Sequence, residues 1–324
     1  MRKNSIILTT VFLIFGSFFG GPASAADYPA RPLEIVCPFG AGSDVDIAAR
    51  MVADIGSKYF GQAIVVVNKA GASGTIAASE VINADPDGYK ALWAAHGYFA
   101  TTYRTQKIPI NVHDLTPVAN LYELKTGIAV RGDSPFKTLD DLLNYAKKNP
   151  GQLKWAHTGR GIALHMSTLV IFKKAGVKTI EVPYKGGADQ AAALLGGHVQ
   201  MSSMNMGPVQ DHVKAGKVRF LVFFTDKRYD NYPDVPNVME LGFPDAALLT
   251  YFGIYVRKDT PAPIKKHLAN LCNKISEDPV FRKSVEKLGG RLRFGGPEFL
   301  TAAIKRQAEI GVPILKEIGL YVEQ

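Results

Sequence analysis

Phe39-Gly40-Ala41-Gly42-Ser43, followed by Asp46 and Arg50, is the stretch whose residue types are best suited to chemistry. The loop has almost no side chain, so a ligand can approach its backbone closely. An apolar run, Leu33 to Cys37, leads in, and a helical pattern leads out. The first N–H groups of a helix have no partner inside it, and the dipole there favours negative charge. The chemistry on offer is the holding of a carboxylate or a phosphate. Further loops of similar make-up follow: Gly71-Ala72-Ser73-Gly74, His96-Gly97-Tyr98, Thr158-Gly159-Arg160-Gly161 and Pro183-Tyr184-Lys185-Gly186-Gly187.

Individual side chains carry two readings each. Arg160 offers a guanidinium that can pair bidentately with a carboxylate, or a charge that points from its loop into solvent. Asp46 can accept from a ligand hydroxyl or bridging water, or satisfy backbone N–H groups in a first helical turn. His96 can donate to an anion or serve a structural role. Phe39, Tyr98 and Tyr184 are candidates to line a cleft, Phe39 foremost because it lies within the loop. His157 and His165 do not read as a metal pair, since no carboxylate or cysteine completes a shell at suitable spacing. There is no G-x-S-x-G elbow, Walker loop or H-E-x-x-H, and Gly159-Arg160-Gly161 lacks the third glycine of a dinucleotide fingerprint. An enzyme is therefore the remote alternative.

The elements that position these loops alternate in type. Val45, Ala48, Ala49, Val52 and Ile55 recur at helical spacing after Asp44. Ile64-Val65-Val66-Val67 reads as a strand buried on both faces, which makes a βαβ opening. A helix from Thr75 to Ala84 and a strand from Tyr89 to Ala95 follow, with more strands at Thr116 to Leu121 and Gly127 to Val130. From Thr138 the pattern repeats strand, loop and helix as far as Phe224. A strand at Tyr251 to Val256 precedes three helices, Pro263 to Glu277, Pro279 to Leu288 and Pro297 to about Gly319. The class is α/β. Two chain crossings, near 125–130 and 248–254, predict a hinge.

The N-terminus reads as an export signal. Arg2 and Lys3 precede an apolar run from Ile6 to Phe19, and Ala23-Ser24-Ala25 is an A-x-A cleavage site. The 299 residues that follow position 25 are enough for two domains. Losing Arg2 and Lys3 leaves 36 basic against 29 acidic residues, a net charge of +7. Such a balance steers anionic solutes or simply solvates a mixed surface. No dense basic run interleaved with aromatics suggests nucleic acid. Cys37, in a strand, and Cys272, in a helix, are expected to be two buried thiols.

With these residues in view, the chain resembles a solute-binding protein of the tripartite tricarboxylate transporter type, the Bug or TctC family. Four stretches carry the resemblance. They are Tyr28-Pro29-Ala30-Arg31-Pro32 with Ile35 to Ser43 and Asp46, Ala49 and Arg50; Gly71 to Gly74 with Asp85-Pro86-Asp87-Gly88-Tyr89; Val182 to Gly186 with Leu194-Leu195-Gly196-Gly197-His198-Val199; and Val213 to Lys217 with Pro233 to Pro236 and Glu240 to Pro244. The resemblance implies a two-lobed, type II-like periplasmic binding protein, two α/β domains joined by a two-crossing hinge. The expected domains are residues 26–127 plus 251–324, and 128–250. It implies capture of a small mono- or dicarboxylate, an aromatic one included, and delivery to integral-membrane transporter subunits. A receptor that presents its closed form to a sensor kinase is the alternative.

Carried over to this sequence, one lobe supplies Phe39, Gly42, Ser43 and Asp46, with Ala95, His96 and Gly97 beside them. The other supplies Thr158, Gly159, Arg160, Gly161 and Ala163, with His165 matching a histidine of the family, then Tyr184, Gly186 and Asn205. Ser43 stands where a second glycine is usual, Arg160 in a loop of small uncharged residues, Ala163 in place of a serine, and Met204-Asn205-Met206 where an acidic residue is frequent. A periplasmic monomer without metal or cofactor is the expectation.

Overall fold

The computed structural model describes residues 28–324, so the export-signal reading of residues 1–25 lies outside them. The first lobe grows from β1 (Leu33–Cys37), whose side chains are nearly all buried. The helix α1 (Asp44–Phe60) follows, its apolar stripe Val45, Ala48, Ala49, Val52 and Ile55 turned into the core. Then come β2 (Ile64–Asn68), α2 (Thr75–Ile82), β3 (Lys90–Ala95) and a single helical turn, α3 (Gly97–Ala100). β1 pairs in parallel with both β2 and β3. The run Ile64 to Val67 is not buried on both faces: β2 is the sheet's edge strand, and Val65 is 44% exposed.

The chain leaves this sheet along β4 (Leu115–Leu124), and one residue, Lys125, connects it to β5 (Thr126–Arg131) in a second sheet. There follow α4 (Leu139–Lys148), β6 (Lys154–His157), α5 (Ala163–Ala175), β7 (Ile180–Pro183), α6 (Gly187–Leu195), β8 (Met201–Asn205), α7 (Gln210–Lys214) and β9 (Val218–Phe223). The second sheet runs β7-β6-β8-β5-β9. The chain returns through β10 (Thr250–Arg257), α8 (Ala262–Glu277), α9 (Pro279–Lys287), β11 (Gly290–Gly295) and α10 (Pro297–Glu317). The first sheet is completed as β11-β4-β10-β3-β1-β2. β11 was not expected from the sequence, because its alternation Arg291-Leu292-Arg293-Phe294 is only four residues long between Gly290 and Gly295.

The two sheets share one plan. In each, the strand that arrives from the other lobe is antiparallel to its neighbours: β10 against β3 and β4, and β5 against β8 and β9. Such a strand enters from the side where the parallel strands end. The carboxyl ends of the parallel strands and the helix starts that follow them therefore border the gap between lobes, where open α/β sheets bind ligands. Each sheet has a core, one around Trp93 and Phe252, the other around Trp155 and Phe172. α10 reaches both: Leu300 packs with Tyr251 and Tyr255 of the first lobe, whereas Ile314 and Leu315 lie in the core of the second. Cys37 and Cys272 are buried free thiols.

Candidate functional site

The loop before α1 is built by its own side chains. Ser43 caps the helix, its Oγ accepting from the Asp46 N–H at 3.2 Å. Asp46 is 2% exposed, and both of its oxygens are occupied. Oδ2 accepts from the Gly42 N–H at 2.9 Å and Arg50 Nε at 3.0 Å, and Oδ1 accepts from Asn68 Nδ2 at 2.7 Å. Asn68 in turn donates to the Phe39 carbonyl at 2.9 Å. Burial pushes the Asp46 carboxyl up, but the donors Arg50, Asn68 and Gly42 outweigh it and hold it below its ordinary value. Of its two readings, Asp46 is the internal strut of the loop, and Gly42 spends its N–H on that strut.

The other helix starts that meet at the gap are left open. α2, α5 and α6 have no side-chain cap. α5 begins after Ile162 with no acidic residue in its first turn. Together with α1 and α3, these starts line a cavity of about 190 Å³ between the lobes. Ser43 and Val45, Ser73 and Gly74, Gly97 and Tyr98 face it from the first lobe; Ile162, Ala163 and Leu164, with Gly186 and Gly187, face it from the second. Its lining carries one cation, Lys185, and one anion, Asp44. Two buried polar atoms of lining residues, Asn205 Oδ1 and Thr250 Oγ1, have no partner within the protein. Helix N-termini in a mostly apolar enclosure are a site for a small anion.

Of the residues expected at the site, the cavity brings together Phe39, Ser43, Ala95, Gly97, Thr158, Ala163, Gly186 and Asn205. Gly42, Asp46, His96, Gly159, Arg160, Gly161 and Tyr184 do not line it. His96 is buried behind the crossing strands, where it borders a separate cavity of about 300 Å³ with Arg293, Arg306 and Gln307. That second space is larger, but α10, the segment leading into β10 and side chains such as Asp226 and Arg293 surround it rather than a set of helix starts. Burial pushes the His96 imidazole down to about 4, so it is neutral at neutral pH and holds the Tyr251 N–H as an acceptor. Tyr184 packs against the second lobe's small core, its N–H on the His157 carbonyl. Arg160 turns aside to Glu181, with Nε 3.2 Å from Oε2.

Ser73, Gly74, Asp44, Thr102, Lys185, Thr250 and Phe252 line the cavity without having been singled out as site residues. Ser73-Gly74 carried the same signal as the first loop, small residues between a strand and a helix. Thr250 and Phe252 carried none, since they arrive on the returning strand.

Glu181 also completes a group that residue spacing hid. Ligand atoms of His157, His165 and Glu181 lie within 4.8 Å of one another. The chemistry of the group does not suit a metal. His157 Nδ1 accepts from the Gly159 N–H at 3.2 Å, and His165 Nδ1 from the Gly161 N–H at 3.4 Å. With Nδ1 accepting, the neutral form of each ring carries its proton on Nε2, the atom that faces Glu181. A metal ligand would need a lone pair there and a donor N–H on the other side.

A family model described as "Tripartite tricarboxylate transporter family receptor" matches residues 48–320. The chain belongs to this receptor family. A relative from Cupriavidus necator, the UPF0065 protein in the gbd 5' region, is 35% identical over 82% of this chain and 80% of its own length. Among solved structures, Rpa4515 of R. palustris with adipate superposes with a TM-score of 0.81 at 26% identity, covering 92% of this chain and all of that one. MatC from Rhodopseudomonas palustris with bound malate gives 0.75 at 27%, covering 87% and 99%. The chain is thus a solute-binding protein of the TctC and Bug group with the two-lobed fold of periplasmic binding proteins. In this receptor the lobes touch at Gly161, whose carbonyl accepts from the hydroxyls of Thr101 and Thr102. Gly161 has φ +78°, and a Cβ there would come within 2.7 Å of Thr105 Cγ2. No helix among the described residues is long and apolar enough to cross a membrane.

Proposed function

We propose that this receptor captures a small dicarboxylate between its lobes and presents it to integral-membrane transporter subunits from outside the cytoplasmic membrane. The observation that carries the reading is the meeting of three uncapped helix starts, α2, α5 and α6, in one enclosed space. Helix starts on both lobes suit a ligand with a negative group at each end, and Lys185 adds a cation. The relatives found with adipate and malate bound support four to six carbons. In this reading residues 26–127 with 251–324, and residues 128–250, are the moving bodies. Lys125 and the return into β10 form the hinge, and water exclusion on closure strengthens each charge-assisted hydrogen bond. The carboxylate is held, not transformed.

A thermal-shift screen against carboxylates tests this. Malate or adipate at a hundred times its dissociation constant stabilises by about 2.7 kcal/mol. Stabilisation by sugars or amines with none from any carboxylate overturns the reading.

A further inference from the structure

The loop that carries Gly159 and Gly161 makes one of the contacts between the lobes, yet neither of these N–H groups points at the cavity. Both are held by imidazoles: Gly159 by His157 Nδ1 and Gly161 by His165 Nδ1. The two rings are fully buried, and their centroids are 4.9 Å apart. Their far nitrogens converge on a single oxygen. His165 Nε2 lies 3.4 Å and His157 Nε2 3.5 Å from Glu181 Oε2, the latter a longer electrostatic contact. Arg160 Nε completes the set at 3.2 Å. Glu181 reaches this place because β7 pairs in parallel with β6, which sets Glu181 opposite Trp155.

We propose that Glu181 is a positioning residue for ligand capture, which acts through His157 and His165 to fix the loop 158–161, and that acid uncouples it. The inference rests on the dicarboxylate reading for its binding arm only. The logic is proton bookkeeping. A neutral imidazole has one acceptor and one donor nitrogen. The carboxylate takes the donor Nε2–H, so the acceptor Nδ1 is turned to the glycine N–H. When an imidazole gains a proton, Nδ1 becomes a donor facing a donor, and the glycine is released. Gly161 then loses the hold that keeps its carbonyl against Thr101 and Thr102. The charged and titratable groups facing the pair are Glu181 from β7, Arg160 from the loop, and each ring toward the other. Burial, the facing His157 and Arg160 push the His165 imidazole down against the pull of Glu181. The contacts to His157 and His165 hold the Glu181 carboxyl well below the usual range, so the anchor remains charged while His165 takes up its proton. Capture therefore weakens as pH falls below the ordinary histidine range.

The experiment has two arms. Imidazole nitrogen NMR on the ligand-free protein reads the tautomers directly, with amide exchange at Gly159 and Gly161 as a second measure. The expected result is Nε2–H on both rings at neutral pH, and faster exchange of the glycine amides, Gly161 above all, in acid. An Nδ1–H tautomer on either ring overturns the proposal, whether or not a ligand binds. The second arm titrates adipate and malate by calorimetry at neutral pH and at about pH 5. Glu181→Leu orphans the buried His165 Nε2 donor, removes the charge facing His157 Nε2, and weakens binding roughly tenfold or more at neutral pH. Glu181→Gln keeps an acceptor and restores most of that loss. Without the carboxylate that pulls His165 up, that ring protonates only at lower pH, so the variant's acid loss moves to lower pH. Wild-type affinity in the leucine variant, or an acid loss unmoved in the glutamine variant, overturns it. Absence of binding by wild type to both acids defeats the dicarboxylate reading and leaves the first arm as the test of the relay.

Discussion

Replacing Ala163 with aspartate places a carboxylate of the protein's own at the first turn of α5. Ala163 is 3% exposed and lines the cavity, and that helix start has neither a cap nor an acidic residue. A ligand carboxylate drawn to the same N–H groups would sit about 4–5 Å from the new charge. At an effective dielectric constant of about 20, the repulsion is about 3–4 kcal/mol. That corresponds to a loss of roughly 150- to 700-fold in affinity. Ala163→Asn has the same shape without the charge. It should lose roughly tenfold or less, the scale of one altered neutral hydrogen bond. Isothermal titration of both variants with malate and adipate at neutral pH reads the difference, and circular dichroism checks that each is folded. Equal losses in the two variants would mean that shape alone matters at this position, and would refute the role given to the open helix start.

Two further predictions concern the frame of the site. Asp46→Ala should destabilise the receptor by about 1.5–3 kcal/mol in urea denaturation, the range for lost hydrogen bonds to a charged group. Because the folded Asp46 carboxyl lies below its unfolded value, its contribution is complete above the ordinary aspartate range and fades as pH falls through the folded value. The variant's stability should accordingly decline less than wild type between about pH 4 and pH 2. At the crossing strands, Glu123 is fully buried between Arg291, 2.7 Å away, and Arg293, 3.2 Å away. Glu123→Ala leaves Arg291 without its carboxylate and Arg293 with only the longer contact to Asp226, both beside Lys125, and should cost about 3–5 kcal/mol, read as a lowered denaturation midpoint. A loss below about 1 kcal/mol would show that solvent already screens those charges.

The sequence by itself determined the α/β class, the order of most strands and helices, and the loops that border the cavity. These follow from local chemistry: apolar periodicity, small residues after a strand, and the unpaired N–H groups of a helix start. Phe39, Ser43, Gly97, Ala163 and Gly186 were legible for that reason. Tertiary structure alone decided which polar side chains face the cavity. Arg160 looked free to bind an anion, but the parallel pairing of β6 with β7 brings Glu181 to it across twenty-one positions. The same register supplied the carboxylate that the spacing of His157 and His165 lacked. His96 follows its strand out of the cleft to a buried place beside a separate cavity, which no neighbouring residue announces. Thr250 and Phe252 enter the site on a strand from the far end of the chain. A backbone donor is placed by the helix it begins, within a few residues. A side chain's partner is set by sheet register and lobe contact, which sum interactions over the whole chain.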